Sequence, residues 1–598
     1  MDLATLKKLR PTEYSDAADG YRSTSDMASA VKDRIESQIT VAMRNSLKGE
    51  AASAAIKQLG ELGKNFHYVQ VECGLVSTAL EAFSYEVGAA KSKLDAALDG
   101  AQAAKLTVNA DGSVSYPAGG EKDADGKIPD GGTVSGLTDG TAAAIGRQSA
   151  NFDPNPNHRL AQDYADQIAH ALKEATEADE KWAPKLRALK ADDDLTISDG
   201  DWADVSSDTK GVTEAGKKYL DSLPQPPKYG SPKDNAEWWK GLDAEQQAAW
   251  ISMRPDSVGA LDGLPATVRD KANRIVFDET RGKMQTELNS IPAPPPNEWT
   301  WISAGGYASK VHTDDWMDWY NKYGERYDHL TKSLKGMQAI QTRFDATGIG
   351  ELPEAYLLGF SAEGHGRAIV ANGNPDTADH QAVYVPGTTS NLGKVDGDIT
   401  RMKDLWRVAN TEAHGQPVST ITWLGYDAPQ ELVKDSPFEH YAYDGAPAFR
   451  DFMDGLDASH SGDSDPHRTV IAHSYGTTLV GAAAQTGHLN ADDVVLAGSP
   501  GVKVSHAEEM DVPKGHVWNE EADGDPAPDI GRFGHGGDGW VIPSDPSFGA
   551  NQMTTDTEGH SGYWDVGSDS LRNQARVTVG KFDDVQLKPP PDPWAHVK

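Results

Sequence analysis

The sequence predicts an α/β protein: a mainly parallel β-sheet flanked by helices, preceded by a mostly α-helical N-terminal region. Three observations carry this. Up to about residue 100, apolar residues recur every three or four positions, the spacing of one helix face. From about residue 351, short apolar runs alternate with stretches able to hold helices. One of those runs, Thr469-Val470-Ile471, passes through a tight turn directly into a small-residue helix.

At the N-terminus, Met27, Val31, Ile35, Ile39, Met43 and Leu47 are spaced by four. Lys48-Gly49 breaks the pattern. From Ile56 to Leu98 the spacing alternates between three and four, as in a coiled-coil seam. Asp99-Gly100 is expected to stop this second helix. The result is an antiparallel helical hairpin whose seam needs a partner: the following helices, a helical partner protein, or a second copy through self-association.

Residues 106–116 read as a β-hairpin turning at Asp111-Gly112. The segment from Pro117 to about Gly140 is Gly/Asp-rich and reads as loop. Its Glu121, Asp123, Asp125 and Gly126 match the start of a calcium loop, but Gly132 stands where the bidentate Glu is required. Helical spacing resumes from Leu160 to Leu189. Pro-rich breaks at 223–234 and 291–299 flank two short helices, and a Trp/Tyr-rich helix follows over about 314–344. The expected units are 1–105, a long helical hairpin; 106–234, a β-hairpin, Gly/Asp-rich loop and helices; 235–345, a helical segment; and 346–598, the α/β catalytic domain.

Seven strands are expected in that last unit, within 356–360, 367–373, 381–387, 418–426, 468–474, 492–500 and 515–520. Buried runs that alternate with helices form sheets covered on both faces. Such sheets carry their functional groups at the carboxyl ends of their strands.

Composition narrows the function. In 598 residues, 91 Asp and Glu oppose 56 Lys and Arg, a formal charge of −35. An acidic surface repels phosphate backbones, so no nucleic-acid partner is expected. The one cysteine, Cys73, excludes an intrachain disulfide and a Cys-based zinc site. No apolar run is long enough for an integral membrane segment. The first residues lack the apolar core of a signal peptide. A cytoplasmic location is expected, or export without a cleavable signal by a route that reads a folded feature. Nothing calls for a cofactor or a metal.

The chemistry is expected at Ala472-His473-Ser474-Tyr475-Gly476. A nucleophile placed on a sharp strand-to-helix turn needs small residues two before and two after it, and Ala472 and Gly476 supply them. Ser474 needs a base to remove its proton and an acid to orient that base. Downstream, Asp525 lies just past a strand end, with Asp523 as its rival. His560 follows in a polar loop, with His535 as its rival. His473, beside the serine, is expected to pack. The oxyanion needs two backbone N–H donors. Tyr475 supplies one. The turn after the 381–387 run supplies the other, with Thr388 as the donor and Gly387 allowing close approach.

Several segments together resemble the actinobacterial α/β-hydrolase family long catalogued as a domain of unknown function. They are residues 238–274, VYVPGTTSNL, WLGYDAP, VIAHSYGTTLVG, VLAGSPG, DGDPAPDIGRFG and GHSGYW. The resemblance covers about 235 to 585. It implies an α/β-hydrolase fold, with Ser474, Asp525 and His560 as catalytic triad at the nucleophile elbow and beyond. The first hundred residues resemble more loosely the helical hairpins exported by ESX (type VII) secretion. Here Leu47-Lys48-Gly49 stands at the turn, and Tyr68-Val69-Gln70-Val71-Glu72 matches the Tyr-x-x-x-acidic export pattern.

The expected function is therefore a serine esterase or lipase-like hydrolase that cleaves a small-molecule acyl ester through an acyl-enzyme. Two alternatives stand beside it: an acyltransferase with the same triad, and a non-catalytic secreted or scaffold protein that interacts through residues 1–105.

Overall fold

The C-terminal part of the chain is built on one eight-stranded sheet. A computed structural model describes residues 1–189, 196–304, 307–462 and 464–589; the last residues of the expected catalytic unit, 590–598, lie outside this range. The strands are β1 (Ala355–Ser361), β2 (Arg367–Asn372), β3 (His380–Val385), β4 (Val418–Leu424), β5 (His467–His473), β6 (Asp493–Ala497), β7 (Val517–Glu520) and β8 (Asn551–Gln552). Their order across the sheet is β1-β2-β4-β3-β5-β6-β7-β8. Only β2 runs against its neighbours; every other pairing is parallel. All seven expected strands are present, and the two-residue β8 adds an edge.

Alternation along the strands separates two cores, because successive side chains leave a strand on opposite faces. On β3, Val383 and Val385 join Phe449, Phe452, Leu479 and Val480 on one face. Ala382 and Tyr384 join Met402, Leu405, Trp406 and Leu571 on the other.

Upstream, five helices matter most: α1 (Pro11–Arg34), α2 (Glu50–Ala103), α3 (Pro156–Ala188), α4 (Asp199–Ala215) and α5 (Ala266–Ser290). Gly49, with φ of 97°, makes the turn between the first two helical arms, which pack side by side. The second arm runs past the expected stop at Asp99-Gly100 to Ala103. It also packs on α3 and α4, so the partner its seam requires is present in the same chain. One apolar core runs from Leu6 to Ile275, crossing positions 105 and 234.

The first arm buries a different face from the expected one. Of the expected stripe Ile35 is buried, but Met27, Ile39 and Leu47 are exposed, and Ala18, Ser25, Ala28 and Lys32 are buried instead. The cause is geometric. A strict four-residue spacing advances ~40° per step on a helix of 3.6 residues per turn, so it winds off the buried face within a few turns. A π-helical turn at Ile35–Ile39 shifts the register again.

The expected hairpin at 106–116 forms, with Gly112 at φ of 83°, and Gly132–Val134 adds a third strand inside the expected loop. A second, exposed hairpin, Trp299–Ala304 with Tyr307–His312, was not foreseen.

Helix α5 joins the two parts. Its side chains occupy the free side of the edge strand β1. Leu357 N donates to Asp270 Oδ1 over 2.6 Å, Asn273 Nδ2 to Leu357 O over 3.0 Å, and Arg274 Nη2 to Ala355 O over 3.0 Å. Among the described residues, no helix is long and apolar enough to cross a membrane.

Candidate active site

Strand β5 lies near the middle of the sheet, between β3 and β6, and ends at His473. Helix α6 (Tyr475–Thr486) starts two residues later, so the chain reverses within Ser474. Ser474 has φ of 55° and ψ of −130°, an uncommon conformation for a residue with a Cβ. Such strain costs on the order of 1–3 kcal/mol and persists only where neighbours enforce it. Ser474 N donates to Ala497 O on β6 over 3.0 Å. Ala472 is fully buried, and a methyl on Gly476 would stand 2.3 Å from Val385 O. The small residues therefore sit where the turn is tightest. The N-terminus of α6 lies behind Ser474, and its partial positive charge favours an anion there.

The turn after β3 reaches the same point. A methyl on Gly387 would lie 2.7 Å from Ser474 Cβ and 3.0 Å from Tyr475 N. Among the described residues, neither the Tyr475 nor the Thr388 amide has a main-chain acceptor. The Thr388 and Ser436 hydroxyls are 2.9 Å apart, and Thr389 N donates to Pro429 O over 2.6 Å.

His560 and Asp525 are brought together. His560 Nδ1 lies 2.8 Å from Asp525 Oδ1 and 3.0 Å from Oδ2. Asp525 is buried and also accepts from Tyr563 Oη over 2.6 Å and from Ala527 N over 2.9 Å. Burial pushes its carboxyl upward, but the hydrogen bonds from His560, Tyr563 and Ala527 outweigh burial and hold it below the ordinary carboxylate value. The rival Asp523 is exposed; its carbonyl accepts from Gly559 N over 2.8 Å, which braces the loop before His560.

His473 links the two halves. Its Nε2 is 2.7 Å from the His560 carbonyl, and the two rings are 4.6 Å apart. Burial, with the charges of Arg401 and His560, pulls the His473 pKa well below the usual imidazole value. A neutral ring donates from Nε2, so His473 packs as expected and also pins the main chain of His560. Among the described residues, no hydrogen bond joins Ser474 Oγ to the His560 ring. His535 is buried elsewhere: its Nε2 is 2.6 Å from Ser436 O and its ring meets Tyr475 edge-on at 5.2 Å.

Tyr563 escaped the sequence reading, although it stands three residues after His560 in GHSGYW. A second unforeseen feature is a cavity of about 680 Å³ lined by Tyr320, His329, Lys332, His365, Asn391 and Gln430, among others. It adjoins the 387–391 turn through Asn391, which donates to Thr389 O and to Gln430 Oε1.

The comparisons with known proteins agree with this architecture. Residues 362–534 match a family model described as Alpha/beta hydrolase. The uncharacterized protein Rv2079 of Mycobacterium tuberculosis is 29% identical over 402 residues, covering 60% of this chain and 57% of its own length. The uncharacterized protein Mb0988c of Mycobacterium bovis is 34% identical over 179 residues, covering 28% of this chain and 66% of its own. The chain thus spans little more than half the length of the longer of these relatives. A hyperthermophilic esterase from the archaeon Pyrobaculum calidifontis aligns over 43% of this chain and 92% of its own, at 12% identity and a TM-score of 0.26, too distant to argue from. With a largely parallel sheet, helices on both faces and the matched segment spanning β2 to the loop of Asp525, the chain carries an α/β-hydrolase domain and is similar to uncharacterized mycobacterial proteins.

Proposed function

We propose that the protein is a serine hydrolase acting on acyl esters, with Ser474 as nucleophile, His560 as base and Asp525 as the acid that orients it. The observation that carries this is the coincidence, at the carboxyl ends of the strands, of a strained serine turn with a half-buried His560 held 2.8 Å from the buried Asp525. Ser474 Oγ attacks the acyl carbonyl while His560 Nε2 takes its proton. The carbonyl oxygen becomes an oxyanion held by the Tyr475 and Thr388 amides, with Gly387 permitting the approach. His560 returns the proton to the leaving alcohol. Water, activated by His560, then releases the acid and restores Ser474. In this reading the Ser474–His560 hydrogen bond forms only in the loaded site, as substrate-free catalytic contacts are often long.

The test is hydrolysis of p-nitrophenyl butyrate together with labelling by a fluorophosphonate. Ser474→Ala should lower kcat by about 10³-fold or more and abolish labelling. Peptide mapping should place the label on Ser474. Turnover and labelling that persist in Ser474→Ala would refute the assignment.

A further inference from the structure

Two elements border the site: segment 427–439, which follows β4, and helix α7 (Ala527–His535), which starts two residues after Asp525. Both turn large apolar side chains to water. Val433, Ile530 and Phe533 are 83%, 72% and 66% exposed, and Leu432, Phe438 and Trp540 are exposed as well. Scattered apolar residues on a surface need no explanation, but a cluster rimming a site does.

The cluster is one structure. His535 Nε2 reaches Ser436 O, tying helix to segment, and the Phe533 and Trp540 rings meet edge to face at 5.2 Å. It is continuous with the site. Tyr475, next to the nucleophile, donates its hydroxyl to Phe438 O over 2.5 Å, and Thr388 contacts Ser436. The rim's cations are already engaged: Lys434 with Glu431, Lys503 with Glu439 and Arg532 with Asp545. Asp435, Asp529 and Asp538 remain as negative charge on a chain of formal charge −35. This surface suits an uncharged apolar boundary and repels anionic headgroups.

We propose that the rim docks on an uncharged lipid–water interface and that the substrate of the Ser474 site is a long-chain acyl ester drawn from it. The substrate half rests on the hydrolase assignment; the docking half does not. Contact is peripheral, through side chains that sink into the acyl boundary beside the nucleophile.

The test uses the full-length Ser474→Ala protein, so that binding is measured without turnover, in co-sedimentation with phosphatidylcholine vesicles. Binding is expected, and is expected to weaken when phosphatidylserine is added. The combined changes Val433→Ser, Ile530→Ser and Phe533→Ser should reduce binding by about 10-fold or more, since each removes an apolar side chain that would leave water on docking. A thermal melt checks that the variant folds; if it does not, Val433→Ser alone, on the segment, takes its place. In the protein with Ser474 intact, p-nitrophenyl palmitate carried on these vesicles should be cleaved with a higher kcat/KM than free butyrate, and the triple change should erase that preference. Absent binding to phosphatidylcholine, binding unaffected by the changes, or preference for the anionic vesicles would each overturn the docking surface. Rim-dependent binding without turnover of any ester would uphold the surface and overturn the hydrolase assignment.

Discussion

At the scale of single residues, Tyr563 decides how Asp525 behaves. It donates to Oδ2 over 2.6 Å from a fully buried position. Tyr563→Phe should cost about 1.5–3 kcal/mol, the worth of a hydrogen bond to a charged group, read as a lower Tm. The sign with pH follows from the depressed Asp525 value. That stabilisation is present above the unfolded pKa and is lost as pH falls through the folded one. Without Tyr563 the folded value rises, so acid unfolding should begin at a higher pH. Gly387→Ala tests close approach: its methyl would meet Ser474 Cβ and the main chain on either side, so kcat and the labelling rate should fall at least about 10-fold while the far-UV spectrum stays unchanged. The turn at Ser474 was legible because a sharp turn demands small residues at fixed offsets, and the pairing of Asp525 with His560 because both follow strand ends late in the chain. Tyr563 was not, because nothing in a tyrosine's letter says that its hydroxyl will meet a carboxylate.

Among elements, α2 carries an unusual charge arrangement. Glu72 is buried on it near Asp208 and Asp204, and burial followed by those carboxylates raises its pKa to about 7. Burial and the nearby Glu245 raise Glu81 to about 7. Here the folded protein binds protons more tightly than the unfolded chain. The contribution of these two carboxyls is therefore fullest below the unfolded value near 4.5 and is lost as pH rises through the folded value of about 7. The Tm should be higher at pH 5 than at pH 8, and Glu72→Gln with Glu81→Gln should flatten that difference. Strand runs were easy to read because both faces of this sheet are covered, leaving unbroken apolar stretches. The short β8, the hairpin of Trp299–Ala304 with Tyr307–His312 and α7 were not, since each is too short or too exposed to print a period. The four-residue stripe on the first arm misled for a related reason: regular spacing is not the same as helical spacing.

For the whole molecule, the helical part and the sheet depend on each other. The core that begins at Leu6 includes Ala272 and Ile275 on α5, and Arg274 on that helix also faces Glu36 at 3.7 Å. Removing residues 1–105 should therefore leave an unstable product, seen as aggregation in size-exclusion chromatography and a Tm lowered or lost. A monomeric, fully stable truncated protein would show instead that the sheet stands alone. Asp270→Ala, which strips Leu357 N and Arg274 of their partner, should cost about 3–5 kcal/mol. The manner in which α5 meets β1 has one more consequence. A bare outer strand is a template on which a second molecule can add its own, and proteins of this size pass through concentrations in the cell where such growth is ruinous. Here one border is sealed by the side chains of Asp270, Asn273 and Arg274, and the opposite border is a two-residue stub. Neither offers a length of backbone on which fibrils could grow.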